Sequence, residues 1–170
     1  MANLITRDDI AQYRQITDNV HTLKIINQHI IDAQFSDIQK LLGVDLYNDL
    51  IRNETDSKYV DLLNGGTYTY DNVTYTNVGL KAVIVHYAYG RYILQGSQTD
   101  TPFGYVQKTN NSSQEVSFAA KKNMSKMNQQ MAFTYWENVK NFLDRNKTDY
   151  PLWNSNCNIR RGGFRISKIG

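Results

Sequence analysis

The sequence predicts a mainly α-helical bundle with one long C-terminal helix, a small β-hairpin insertion and an extended C-terminal arm. Three observations predict it. Apolar residues recur at helical spacing through most of the chain. Residues 67–76, "TYTYDNVTYT", alternate on either side of Asp71-Asn72, as two strands around a tight turn do. From Lys147 onward the composition turns basic, and the last residues alternate like a strand. A chain of 170 residues, 41% hydrophobic and 21% charged, fits one globular unit. We divide it into a helical domain over 1–146, carrying the hairpin at 67–76, and an arm over 147–170.

Thr6 caps a first short helix, with Asp8 and Asp9 placed in its electropositive first turn. A second helix runs from about Asp18 to Gln34, because Val20, Leu23, Ile26, Ile30 and Ala33 share one face. Ser36 to Gln39 reads as a capping box opening a further short helix that Gly43 ends. "VDLYNDLI" pairs Leu46 with Leu50 and Tyr47 with Ile51 on a helix. "SKYVDLLNGG" makes another, stopped by Gly65-Gly66. Asp71 and Asn72 tolerate the positive φ angles of a two-residue hairpin turn. An isolated ribbon is marginal in water, so it must lie on its own helices or on a neighbour.

The helix from about Val78 to Gln95 is apolar nearly all round, which marks it as central. Within it, His86 reads as a hydrogen-bonded core histidine, and Gly90 as a point of close backbone approach. Residues 95–113 read as a long polar loop with a turn at Thr101–Gly104, where Phe103 packs back on the body or meets a partner. Ser112 to Glu115 reads as a second capping box, opening a helix that ends near Asn146. Its stripe is Val116, Ala120, Met124, Met127, Met131, Tyr135, Val139 and Phe142. The mean step of about 3.7 exceeds the 3.5 of a left-handed coiled coil. Packing along a globular body or a ring neighbour fits better, with core the simpler assignment and an adaptable Met-rich contact the alternative.

The net charge of +3 is uneven. Lys147, Arg160, Arg161, Arg165 and Lys168 face only Asp149, so residues 147–170 carry +4 and the rest −1. Gly162-Gly163 is a flexible joint, and "GFRISKIG" alternates apolar and polar. Such a tail suits a docking arm that adds a strand to a partner.

No metal, phosphate-cradling or nucleophile motif is present. His21, His29 and His86 are scattered, so we expect no cofactor, no metal and no enzymatic activity. The single cysteine, Cys157, excludes an internal disulfide. "MANLITRDDIAQ" lacks the cationic start and apolar run of a secretory signal. No stretch approaches the roughly 20 apolar residues of a membrane span, so no membrane association is expected.

The order of elements resembles a known family. The hairpin "GGTYTYDNVTY", the helix "GLKAVIVHYAYGRYI", the loop "TPFGYVQK" and the helix "AFTYWENVKNFL" are similar to tailed-phage head-to-tail connector (adaptor) proteins. The nearest type is that of crAss-like and other Bacteroidetes phages, and the likeness spans most of residues 36–153. It implies a structural virion protein, made in the host cytoplasm, that forms a ring, commonly dodecameric, at the portal vertex. Such a ring binds the portal protein and the next neck or tail protein, and extends a channel through which DNA passes without sequence-specific binding. On this reading Tyr68, Tyr70, Tyr75, Pro102, Phe103, Met124, Met127 and Met131 make subunit or neck contacts. The arm, through Arg160, Arg161, Phe164, Arg165, Ile166, Lys168 and Ile169, binds the portal; that role comes from its own chemistry, since the tail lies outside the best-matching part. The alternative is a nucleic-acid-binding accessory protein that uses the same basic arm on phosphates.

Overall fold

The computed structural model describes residues 3–95, 98–101, 104–107 and 116–154. The first helix, α1 (Arg7–Tyr13), begins as predicted. The Thr6 side chain accepts from the Asp9 N–H, and the Asp9 carboxylate accepts from the Thr6 N–H at 2.7 Å. The second, α2 (Val20–Ala33), is capped by Asn19, whose side-chain oxygen accepts from the Thr22 N–H at 2.8 Å.

The break predicted at Ser36 does not occur. The helix continues through a π-helical turn, Gln34–Ile38, into α3 (Gln39–Leu42), and Ser36 caps nothing. The wider turn places Gln34 and Ile38 in the interior, both fully buried. Gln34 Oε1 accepts from the Leu4 N–H at 2.7 Å, which ties the chain's start to the bundle. Burial of these two residues overrides the local capping signal. Gly43, at φ 83°, ends the run as the sequence predicts.

Two helices follow, α4 (Val44–Arg52) and α5 (Ser57–Asn64), joined where the Tyr59 hydroxyl donates to the Asp49 carboxylate. The hairpin pairs β1 (Gly66–Tyr70) with β2 (Val73–Asn77), placing Tyr68 opposite Tyr75. Asp71 and Asn72 take φ of 50° and 59°, the two positive angles of a type I′ turn. At its root, Gly65 and Gly79 pass so closely that a Cβ on Gly65 would stand 2.4 Å from the Asn77 carbonyl oxygen.

The apolar helix, α6 (Leu80–Gln95), lies at the centre, packed by α2, α1 and α5 and most extensively by α7 (Phe118–Arg145). At Gly90 the α7 backbone comes near: a Cβ there would meet Ser125 O at 3.3 Å and Asn128 Cβ at 3.4 Å. The 28 residues of α7 span about 42 Å. It starts later than the sequence predicts, with Ser117 as its cap, and Val116 precedes the helix. Between the two helices the supposed polar loop contains a second ribbon, β3 (Gln98–Thr101) paired with β4 (Gly104–Gln107). Its alternation is hidden in the sequence because the strands are short and polar.

The body also extends past Asn146 into the segment assigned to the arm. Tyr150 and Trp153 are buried in the main core. The Tyr150 hydroxyl donates to the Lys58 carbonyl at 2.5 Å, Trp153 Nε1 donates to Asp144 Oδ1 at 2.9 Å, and the Trp136 and Trp153 rings meet edge to face.

Candidate functional site

The long helix has two faces, and the sequence stripe describes neither cleanly. The inner face is Ser125, Asn128, Ala132, Trp136, Val139, Phe142 and Leu143, all buried. Of the predicted stripe, Val139 and Phe142 belong to it, and Tyr135 packs at its edge with its ring 5.0 Å from that of His86 on α6. Met124, Met127 and Met131 point outward, with Val116, Phe118 and Phe133. Met127 is 64% and Phe118 66% exposed, so the simpler assignment of these methionines to the core is overturned. No residue from Phe118 to Met124 is fully buried, though Ala120 and Lys121 are partly so.

A buried polar cluster explains the offset. Where Gly90 lets the two backbones approach, small and polar side chains replace apolar ones on the inner face. Arg14 Nε donates to Asn128 Oδ1 at 3.0 Å, and Arg14 Nη2 lies 3.2 Å from His86 Nδ1. Nδ1 thus lies between the Arg14 guanidinium, which can only donate, and Asn128 Oδ1 at 3.3 Å, which can only accept, so it serves one of them at a time. Burial pushes the His86 pKa down, and Arg14 adds to this against the opposing bond to Asn128. The neutral imidazole is therefore the favoured form in the core. A search for apolar periodicity cannot find Ser125 or Asn128.

The exposed side of α7 carries charge of both signs, with lysines in its first turns and Glu137 further along. Lys121, Lys122 and Lys126 lie between Val116 and Trp136, a stretch with no acidic residue. Lys122 and Lys126 are exposed, on the opposite flank of the helix from the methionines.

The hairpin sits on the far end of the same helix. Tyr68 and Tyr75 stack at 5.7 Å, and Tyr68 meets Phe142 edge to face at 5.0 Å. The Arg145 guanidinium lies 3.8 Å from the centre of the Tyr75 ring and donates to the Tyr68 hydroxyl at 3.0 Å. Asn138 closes the clamp: its amide donates to the Thr76 carbonyl at 3.0 Å, and its oxygen accepts from the Val78 N–H at 2.8 Å. Tyr68 and Tyr75 thus spend much of their surface on their own subunit. Tyr70 and Val73 at the tip remain about half exposed. The sequence reading missed Arg145 and Asn138. They sit seven residues apart, two helical turns, which is the one signal that could have paired them.

A cleft of about 390 Å³ opens between the hairpin root, α5 and the end of α7. Lys58, Asp61, Tyr68, Asn77, Asp149 and Tyr150 are among its walls. Burial, then Asp61 and Asp149, push the Tyr150 phenol up, so it stays protonated and tied to Lys58. Among the described residues, no group of three or more His, Cys, Asp or Glu can hold a metal ion. No helix among them is long and apolar enough to cross a membrane. Pro102 and Phe103, and the arm residues Arg160, Arg161, Phe164, Arg165, Ile166, Lys168 and Ile169, lie outside the described residues, as does Cys157.

No curated protein and no solved structure matches the chain. One family profile does, over residues 38–163, from the end of the π turn through the hairpin, α6 and α7 and beyond. By that match the chain belongs to DUF6712, a family of unknown function.

Proposed function

We infer that the protein is a structural virion component, a subunit of a ring that joins the portal of a tailed phage to its neck or tail. The observation that carries this reading is the row of Met124, Met127 and Met131 left exposed along one flank of the long helix α7. Exposed apolar patches of this kind mark interaction surfaces. Methionine in particular suits a seam that must adapt to a partner. The clamped hairpin adds a rigid projection with Tyr70 and Val73 at its tip, and tyrosine is enriched in interfaces. The resemblance of the hairpin, α6 and α7 segments to connector proteins supplies the location. On this reading the role is structural, and DNA passes through the ring without being read.

Cryo-electron microscopy of particles of the encoding phage tests the proposal. We expect several copies of this chain encircling the DNA channel at the portal vertex. A location on the shell or on a tail fibre, or absence from the particle, sinks it. The arm is tested separately by mixing the portal with a chain ended at Asn156: portal binding should be lost, and normal binding would remove the arm's part in it.

A further inference from the structure

We propose that the open edge of β1 receives an added strand, and that this strand is residues 164–169 of a second copy of the chain. Tyr70 and Val73 flank the two-residue turn and form the first hydrogen-bonded pair of the ribbon. Bonded and non-bonded pairs alternate from there, so the N–H and C=O groups of Thr67 and Thr69 point away from β2. The corresponding edge of β2 is held to α7, where Asn138 donates to the Thr76 carbonyl. Among the described residues, nothing bonds the outer groups of Thr67 and Thr69. Both residues are exposed. β1 has no lysine, proline or bulge, the usual guards of a free edge.

The cleft of about 390 Å³ runs beside this edge: Gly66, Thr67 and Tyr68 are among its walls, with Asp61, Asp149 and Tyr150. A Cβ on Gly66 would meet nothing within 4 Å, so the cleft is open where the strand begins. Lys58, the cation of the cleft, lies 3.9 Å from Asp49. Asp61 and Asp149 have no cationic partner among the described residues. An open backbone edge beside two unpaired carboxylates suits an extended segment that carries cations. Residues 155–170 contain Arg160, Arg161, Arg165 and Lys168 and no acid, and Phe164 to Ile169 alternates as a strand does. In such an addition the main chain supplies affinity and the side chains supply register.

The course of the body favours a neighbour as the acceptor. The hairpin rides on the flank of α7 that holds Asn138 and Phe142. Trp153, the last buried residue described, packs instead on Trp136 and donates to Asp144. Those two lie at least about 120° round α7 from Asn138 and Phe142. The described body thus ends on the side of α7 away from its own cleft. Residues 155–163 span up to about 30 Å when extended, enough to cross to an adjacent copy. Each copy gives an arm and takes one, so the contact is heterologous and repeats into a closed ring or an open filament. Closure into a ring rests on the connector reading; the contact itself does not. The portal is the competing acceptor for the same arm.

Two crippled chains provide the test. One ends at Asn156 and keeps the edge without the arm. The other carries Thr69→Pro, which removes an outward N–H and no ladder bond, and keeps the arm without the edge. Circular dichroism establishes that each is folded. In sedimentation at low salt the full chain should self-associate, and each crippled chain alone should do so at least roughly tenfold more weakly. Mixed, they should form a one-to-one dimer that grows no further. Asp61→Asn with Asp149→Asn should weaken association of the full chain roughly threefold. A full chain that stays monomeric at millimolar concentration overturns the contact, as does a mixture without the dimer. An equal loss from Thr74→Pro, on the opposite edge of the ribbon, overturns the choice of β1. None of these results touches the connector reading, which the location of the chain in the particle decides. Particles in which every arm lies on the portal and β1 stays bare would keep that reading and overturn this one.

Discussion

Gly79 shows how much of this fold rests on single residues. Its φ is +83°, and a Cβ there would stand 2.6 Å from the Asn64 carbonyl carbon and the Leu63 carbonyl oxygen. Both neighbours are backbone and cannot rotate away. Gly79→Ala should cost more than about 2 kcal/mol, from left-handed strain plus overpacking. Urea unfolding would show it as a lower midpoint at an unchanged slope. Gly90 is different, since its backbone is helical and the space alone is short. Gly90→Leu should force α7 off α6 and cost about 3 kcal/mol. The sequence flags Gly90, because glycine is costly inside an apolar helix. It gives no hint that the opposing residues are Ser125 and Asn128, which are polar and far along the chain.

Among elements, the hairpin and the end of α7 form a unit. Asn138→Leu leaves the Val78 N–H without its acceptor and should cost about 1–3 kcal/mol. Amide exchange in β2 should speed up more than exchange in α6. Arg145→Ala should loosen the hairpin alone, again seen as faster exchange at Tyr68 and Tyr75 with little change in the helices. Residues 147–154 belong to the body: a chain ended at Asn154 should remain folded, whereas one ended at Asn146 should lose several kcal/mol with Tyr150 and Trp153. The helices and the hairpin turn were legible because each depends on local signals: apolar spacing, Thr6, Gly43, Asp71-Asn72. The course of α2 through Ser36 was not, because its decisive contact, Gln34 with Leu4, spans thirty residues. The outer face of α7 was misassigned because a step near 3.6 fits two adjacent stripes, and the choice between them is made by Gly90 on another helix.

The whole molecule should weaken in mild acid. Burial lowers the pKa of His86 and of His29, the latter against the opposing pull of Asp32. A histidine kept neutral by the fold gives up stability once the unfolded chain begins to bind protons. Stability is therefore full above the unfolded value of 6.5 and falls as pH drops below it, until the folded form is protonated too. Each histidine contributes a slope of up to about 1.4 kcal/mol per pH unit. A thermal midpoint that stays flat from neutral pH to pH 5 would contradict this, and His29→Phe should flatten part of the fall. At this scale the sequence by itself determined the helical class, the central place of α6, the hairpin and its turn, because burial of apolar residues and backbone sterics act over a few neighbours. The tertiary structure alone decided which face of α7 stays outside, where the body ends, and how the hairpin is held. Those outcomes depend on close backbone approach and on polar side chains meeting across distant segments, and no local pattern encodes either.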